Sequence, residues 1–352
     1  MSTSTPSAVP VVNRQLRLAA VPKGMPKETD FRIAEAPMLS PGLREILVRT
    51  AFWSVDPYMR GRITGVRTYA DPVLVGDLMV GGAVGQVVQS NDEALRPGDF
   101  VAGYWGWQEW AVSKAKGVQK LDASVAPVST ALGILGMPGM TAYFGFLDIC
   151  TPKPGETVVV SGAAGAVGSY VCQIAKIKGC RVIGTAGTDA KIDYLRNELG
   201  LDGAFNYKTT ADYTPELKKL CPNGIDCYFD NTGGSVSDAV FPLLNTFARV
   251  SVCGQIAHYN AQGPELGPRL LSLILVKQLR VEGFIVSRFA ERFPEGVAQM
   301  AHWLKEGKLR YREYIVDGFE ELPNALIALL NGANTGKMVV KAGWMKTGMS
   351  PF

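Results

Sequence analysis

The run TVVVSGAAGAVGSYVCQIAKIKGCRVIGTA, residues 157–186, constrains this chain more than any other stretch. A short apolar strand runs into Gly162, Gly165 and Gly168, a helical period follows, and a second strand begins after Gly179. A glycine-rich turn alone says little. Here it lies inside a complete strand–helix–strand unit of about 30 residues. Glycine permits a tight turn, close approach of backbone to a pyrophosphate, and helix packing on strand. The helix start offers free N–H groups and a positive dipole end. The run implies a dinucleotide site. Its bland alternative is a strand-to-helix turn with no ligand.

The residues around this unit set the organisation. After "TPKPGE", strand and helix patterns alternate through "GAFNY", "IDCYFDN", "ARVSVCG" and "LRVEGFIVS". That alternation predicts a parallel sheet with helices on both faces. Before residue 130 the texture differs. "REILVRTAFWSVDP" alternates and breaks at Pro57, and "DLMVGGAVGQVVQS" and "RPGDFVAGYWGWQEWAVS" read as short strands with turns between them. Such spacing predicts a β-rich domain or partial barrel. The last forty residues, with "GKMVVKAG", return to strand and turn and are expected to rejoin the first domain. The expected fold class is α/β: a doubly wound parallel sheet at 135–308, and a discontinuous β domain at 1–134 and 309–352, with 1–12 a loose tail.

At 352 residues and 47% hydrophobic composition, two domains with sizeable cores are expected. The net charge of +4 is small and scattered, so no nucleic-acid footprint is read. The six cysteines form no CxxC pair, which suits a reduced, cytoplasmic setting. The opening "MSTSTPSAVPVV" lacks the charge and apolar run of a signal peptide, and no apolar stretch is long enough for a membrane span.

An acidic residue at the end of the second strand of the unit binds the ribose hydroxyls of NAD. Ala186 and Gly187 stand there instead, and Asp189 reads as the N-cap of the next helix. Small residues leave room for a 2′-phosphate, which Lys191 can neutralise and Tyr207 can flank. The expected cofactor is NADPH. No metal is expected. The two histidines, His258 and His302, are far apart in sequence, and the chain holds no HExxH and no closely spaced cysteine quartet.

With these features placed, the chain resembles the zinc-independent medium-chain dehydrogenase/reductases, in the branch of prostaglandin, alkenal double-bond and curcumin reductases. The carriers are "SVDPYMRGR" (54–62), "LGMPGMTAYFG" (135–145), "SGAAGAVGSYVCQIAKIKGC" (161–180), "FNYK" (205–208), "YFDNTGG" (228–234), "CGQIAHYN" (253–260), "LRVEGFIVS" (279–287) and "NGANTGKMVV" (331–340). The resemblance implies a GroES-like β domain split around a Rossmann domain, and a homodimer. It implies hydride transfer from NADPH to the β-carbon of an α,β-unsaturated ketone or aldehyde, with a proton following at the α-carbon.

The resemblance also implies residue roles. It gives the cofactor Gly162, Ala164, Gly165, Ala166, Val167 and Gly168 of the loop, and Gly187, Thr188, Lys191 and Tyr207 at the 2′-phosphate. It adds Asn231, Cys253, Tyr259, Phe284 and Val286 along the cleft, and Asn334 from the returning segment. It gives the substrate Tyr58, Arg60, Tyr259 and Ser287. Tyr259 and Tyr58 are its catalytic candidates. One departure touches specificity: the stretch "ILVKQLR" carries Val276 where many members carry tyrosine.

A developing enolate oxygen needs a donor where its charge appears, and a phenol stays protonated at neutral pH. That favours Tyr259 over its neighbour His258. Strand alternation continued past "ARVSVCG" is expected to point the two to opposite sides. The α-carbon proton is left to water or Tyr259. Tyr104, Trp105, Trp107 and Trp110 read either as a stacking wall for aromatic enones or as β-domain core. Two other activities fit parts of the pattern: a quinone reductase, and an NADPH-binding protein without turnover.

Overall fold

The computed structural model describes residues 9–263 and 265–345. The expected tail at 1–12 therefore lies mostly outside the described residues. Two compact units emerge. One comprises residues 1–132, 315–333 and 338–352; the other comprises 133–314 and 334–337.

The first unit begins with strands β1 (Val12–Leu18), β2 (Phe31–Pro37) and β3 (Glu45–Ser54). Pro57, at φ −59° and ψ −32°, turns the chain into the short helix α1 (Tyr58–Arg62). Strands β4 (Ala83–Ser90), β5 (Phe100–Gly103), β6 (Trp110–Lys114) and β7 (Gln119–Leu121) follow. Three of the four aromatics in "YWGWQEW" are buried, and their neighbours are polar groups of β3. Trp105 Nε1 donates to Thr50 Oγ1 at 2.9 Å, and Trp107 Nε1 donates to the Ser54 carbonyl at 3.3 Å. The tryptophans are core rather than a stacking wall. Tyr104 alone stays exposed.

The second unit opens with helix α2 (Met137–Cys150). Pro138 and Gly139 stand in the first turn of this helix. Proline is tolerated in a first turn, where its missing N–H has no intrahelical partner. Gly139 is required there because a Cβ would stand 1.8 Å from the Ile134 carbonyl oxygen. Then come β8 (Thr157–Val160), α3 (Ala166–Ile177), β9 (Arg181–Ala186), α4 (Asp189–Asp193), β10 (Gly203–Asn206) and α5 (Tyr213–Leu220). β11 (Ile225–Asp230), α6 (Gly234–Val240), β12 (Leu244–Val252), α7 (Leu271–Val276), β13 (Arg280–Gly283) and α8 (Phe293–Lys305) complete it.

The six strands lie in the order β10-β9-β8-β11-β12-β13, all parallel. This is the doubly wound Rossmann order, with its switch point between β8 and β11. Val158 and Val160 join one apolar cluster while Val159 joins another, so both faces of β8 are covered. That explains the unbroken apolar run "TVVV": a strand buried on both faces needs no polar alternation.

The chain then returns through β14 (Glu313–Asp317), α9 (Leu322–Leu330) and β15 (Lys337–Lys341). The sheet of the first unit runs β14-β15-β3-β4-β5-β7, with β6 pairing to β3. The return is interrupted: residues 334–337 belong to the Rossmann unit, although those on either side do not. No helix among the described residues is long and apolar enough to cross a membrane.

Candidate functional site

The glycine loop sits at the carboxyl end of β8, beside the switch point. Gly162 adopts φ +59°, a left-handed conformation that L side chains rarely take. A Cβ at Gly168 would stand 2.3 Å from the Gly162 carbonyl oxygen, so only glycine lets α3 pack this close to the turn. A Cβ at Gly165 would meet nothing nearer than that same oxygen, at 3.3 Å. Gly165 is the N-cap residue of α3, and no side chain caps the helix. With Ala164, Ala166 and Val167 beside it, the loop offers small residues and an uncapped helix start. That donor set fits a pyrophosphate.

Asp230 organises the other side of the switch point. Its buried carboxylate accepts from Ser161 Oγ at 3.0 Å, Tyr228 Oη at 2.9 Å, Ser237 Oγ at 2.8 Å and Gln255 Nε2 at 3.0 Å. It also accepts the backbone N–H groups of Thr232 at 3.0 Å and Gly233 at 2.9 Å. Asn231 is fixed next to it: its Nδ2 donates to the Ser161 carbonyl at 2.7 Å, and its N–H donates to Ser161 Oγ at 2.9 Å. The sequence reading passed over Asp230. The only signal was an acidic residue closing the apolar run "IDCYF".

The second strand of the unit ends at Ala186, and Gly187 follows. A Cβ on Gly187 would lie 2.7 Å from Tyr207 Oη and 3.2 Å from Lys208 Cε, so tyrosine and lysine both close over this glycine. Burial, and then the positive charge of Lys208, lower the pKa of the Lys191 amine. Two lysines and a phenol thus gather where an acidic residue would otherwise select ribose hydroxyls. Lys208 was quoted in "FNYK" without a role. Asp189 is not the N-cap. Thr188 is, accepting the Lys191 N–H. Asp189 instead accepts Asn206 Nδ2 at 2.8 Å, which turns its carboxylate to the β10 side.

Tyr259 follows β12, but not on an extended strand. The strand stops at Val252, and residues Ile256–His258 form a 3₁₀ turn that Tyr259 closes. The expected opposition of His258 and Tyr259 by strand alternation therefore does not apply. What separates them is pairing. His258 Nδ1 lies 2.9 Å from Glu265 Oε2, at the surface. Tyr259 Oη stands 3.5 Å from where a Gly254 Cβ would be. Burial raises the Tyr259 phenol above its ordinary pKa. Burial and Asp230 push the neighbouring Cys253 thiol up to about 12, so this cysteine stays neutral.

Asn334 comes to the same unit from the returning segment. It is buried, and its Nδ2 donates to the Gly336 carbonyl at 2.7 Å. Gly336 N–H donates to the Ala164 carbonyl at 2.8 Å, and Gly336 pairs with Gly165 in a parallel bridge.

The remaining candidates divide between core, surface and the β unit. The Phe284 side chain is core: its ring fills the notch left by Gly145, where a Cβ would be 2.2 Å away, and it meets Phe229 and Phe289 edge-on. Val286 packs on that same cluster, and Ser287 is exposed. Arg60, in the β unit, is buried and spends its guanidinium on the carbonyls of Gly24 at 2.9 Å and Pro22 at 3.4 Å. It is an anchor for that turn rather than a free cation. Tyr58, in the same unit, is half-buried, and burial and then Asp56 hold its phenol far above its ordinary pKa. Val276 is exposed.

Two family models match the chain: "N-terminal domain of oxidoreductase" over residues 14–121, and "Zinc-binding dehydrogenase" over 166–303. The NADPH-dependent curcumin reductase of Escherichia coli (strain K12) is 45% identical over 334 residues, covering 94% of this chain and 96% of that one. The chain belongs to the zinc-independent medium-chain dehydrogenase/reductase family. Prostaglandin reductase 1 of Rattus norvegicus is 46% identical over 326 residues, covering 91% of this chain and 96% of its own. The crystal structure of CurA in complex with NADPH from Vibrio vulnificus superposes at TM-score 0.90 with 45% identity, over 94% of this chain and all of that one. One matching model carries zinc in its description. Among the described residues, no group of three or more His, Cys, Asp or Glu side chains stands together to hold an ion. His302 lies beside Glu306 on α8, at 3.4 Å.

Proposed function

We propose that this oxidoreductase uses NADPH to reduce the carbon–carbon double bond of α,β-unsaturated ketones and aldehydes. The observation that carries the reading is the composition of one unit. A glycine cradle, a two-lysine and tyrosine end at Gly187, and a half-buried phenol at Tyr259 all belong to the same unit, in turns that follow strands of its parallel sheet. NADPH is the cofactor, and when bound it supplies the hydride. The amides of the loop and the start of α3 hold the pyrophosphate. Lys191, Tyr207 and Lys208 hold the 2′-phosphate. Asn231 and Asn334 line the cleft.

Tyr259 donates a hydrogen bond to the substrate oxygen as negative charge develops there. A raised pKa suits that task, since the phenol must stay protonated while the enolate forms. Family likeness makes Tyr58, in the β unit, a further candidate for contact with substrate. Family likeness also supports a cytoplasmic homodimer, which a mass in solution tests.

NADPH consumption against a medium-chain enal, a diarylheptanoid enone, 1,4-benzoquinone and an enoyl thioester tests the reading. Turnover is expected with the enal and the enone. A strong preference for the quinone, or binding of NADPH with no oxidation by any of the four, overturns it.

A further inference from the structure

Lys337 is 1% exposed, one of the largest fully buried side chains in the molecule. It closes the four-residue stretch 334–337 that joins the Rossmann unit while its flanks belong to the β unit. The stretch is wedged between two backbones. Gly336 donates to the Ala164 carbonyl and Lys337 N–H donates to the Arg312 carbonyl, both at 2.8 Å. Gly336 sits at φ +75°, and a Cβ there would be 2.1 Å from the Arg312 carbonyl oxygen.

The Lys337 side chain then runs behind the glycine loop. A Cβ at Gly133 would find Tyr170 Oη at 3.2 Å and Lys337 Cγ at 3.5 Å, so the two side chains share the space over Gly133. Tyr170 belongs to α3, the helix that the loop starts. It is 1% exposed, and its hydroxyl has no hydrogen-bond partner. Burial, and then the Glu313 carboxylate, raise that phenol well above its ordinary pKa. One Glu313 oxygen is shut off from solvent. Lys337 and Tyr170 therefore place an amine and a phenol side by side in the interior, with the Glu313 carboxylate close enough to act on the phenol, and apolar side chains would fill the same volume without the cost of burying them.

We propose that Lys337 is a positioning residue of the dinucleotide site: with Glu313 and Tyr170 it locks the 334–337 stretch onto Ala164 and Gly165, presetting the loop amides and Asn334. This rests on reading the loop as the NADPH site. Pre-organisation of this kind acts on affinity, because the loop need not be ordered when the ligand arrives.

The test uses the full chain with Lys337→Met. In the cofactor-free protein, hydrogen exchange at the Gly336 amide is expected to speed up several-fold. Calorimetry is expected to give an NADPH Kd raised about five-fold or more. The Kd for adenosine 2′,5′-bisphosphate, which lacks the pyrophosphate bridge, is expected to stay within about two-fold. Unchanged exchange and unchanged NADPH affinity overturn the proposal. So does a parallel loss of both ligands, which marks general loosening. If Lys337→Met does not fold, Glu313→Gln takes its place with the same readouts and the same criteria. If the wild-type protein itself does not bind NADPH, the dinucleotide reading falls and the proposal with it. If the wild type binds and the variant binds as well, only the proposal falls.

Discussion

Ser161 donates its hydroxyl to Asp230 at 3.0 Å, linking the strand ends on either side of the switch point. The same oxygen accepts the Asn231 N–H, so one hydroxyl ties the glycine loop to the cleft asparagine. Asp230→Asn replaces an acceptor with an amide that must donate among groups that already donate. Each unmet buried donor costs about 1–3 kcal/mol. The variant is expected to lose thermal stability and weaken NADPH binding together, seen by calorimetry and titration. An unchanged melting temperature refutes the central role given to Asp230.

Two glycines of the loop separate fold from binding. Gly168→Ala drives a methyl into the Gly162 carbonyl, at 2.3 Å, and is expected to cost about 1–3 kcal/mol of stability. Gly165→Ala meets that oxygen only at 3.3 Å, a tight but milder contact, so the fold should lose less while the pyrophosphate approach is blocked. Parallel melting curves and NADPH titrations check the split. Equal stability loss in both variants contradicts it.

Lys191→Ala should raise the NADPH KM roughly ten-fold or more, from loss of a charge-assisted contact worth about 1.5–3 kcal/mol, and leave NADH almost unchanged. The comparison of the two nucleotides is the decisive measurement. If both KM values rise alike, Lys191 does not read the 2′-phosphate.

The pH profile should split KM from kcat. Lys191 has a lowered pKa, so it sheds its proton earlier than an ordinary lysine as pH rises. The KM for NADPH should therefore begin to climb, as pH rises, at a lower pH than an ordinary lysine would set. Tyr259 has a raised pKa and stays protonated over that range, so kcat should remain flat. A kcat that falls before KM rises reverses the assignment.

Tyr259→Phe is expected to lower kcat for an enone by roughly ten- to hundred-fold, the scale of one lost oxyanion donor. His258→Gln should keep most activity, because His258 is engaged with Glu265 at the surface. Steady-state rates of the pair decide between phenol and imidazole.

The sheet, the glycine-rich turn and the small residues at the end of β9 were legible because their signals are local. Strand period, glycine spacing and the missing acidic residue after β9 all fall within one βαβ unit. The turn after β12 was not legible: the alternation rule holds only while the strand lasts, and the strand ends at Val252, six residues before His258. The seat of the Phe284 ring was not legible for a different reason. Its partner is the notch at Gly145, distant in sequence, and a notch leaves no pattern in either segment. Arg60 likewise found its partners at Pro22 and Gly24, so a basic residue beside an aromatic in "DPYMR" looked free when it was committed. Asp230 gathers Ser161 and Gln255 onto groups of its own stretch, and sequence spacing holds no record of such a meeting.

The excursion at residues 334–337 bears on any attempt to trade parts between relatives. A segment cut at Tyr314 would carry all six strands of the parallel sheet and yet omit Gly336, the residue that holds Ala164 from outside. A chimaera that inherits its nucleotide half from one parent and its tail from another therefore joins two lineages within a single hydrogen bond of the loop. Recombination is best placed outside both pieces, so that "NTGK" travels with the glycines it serves.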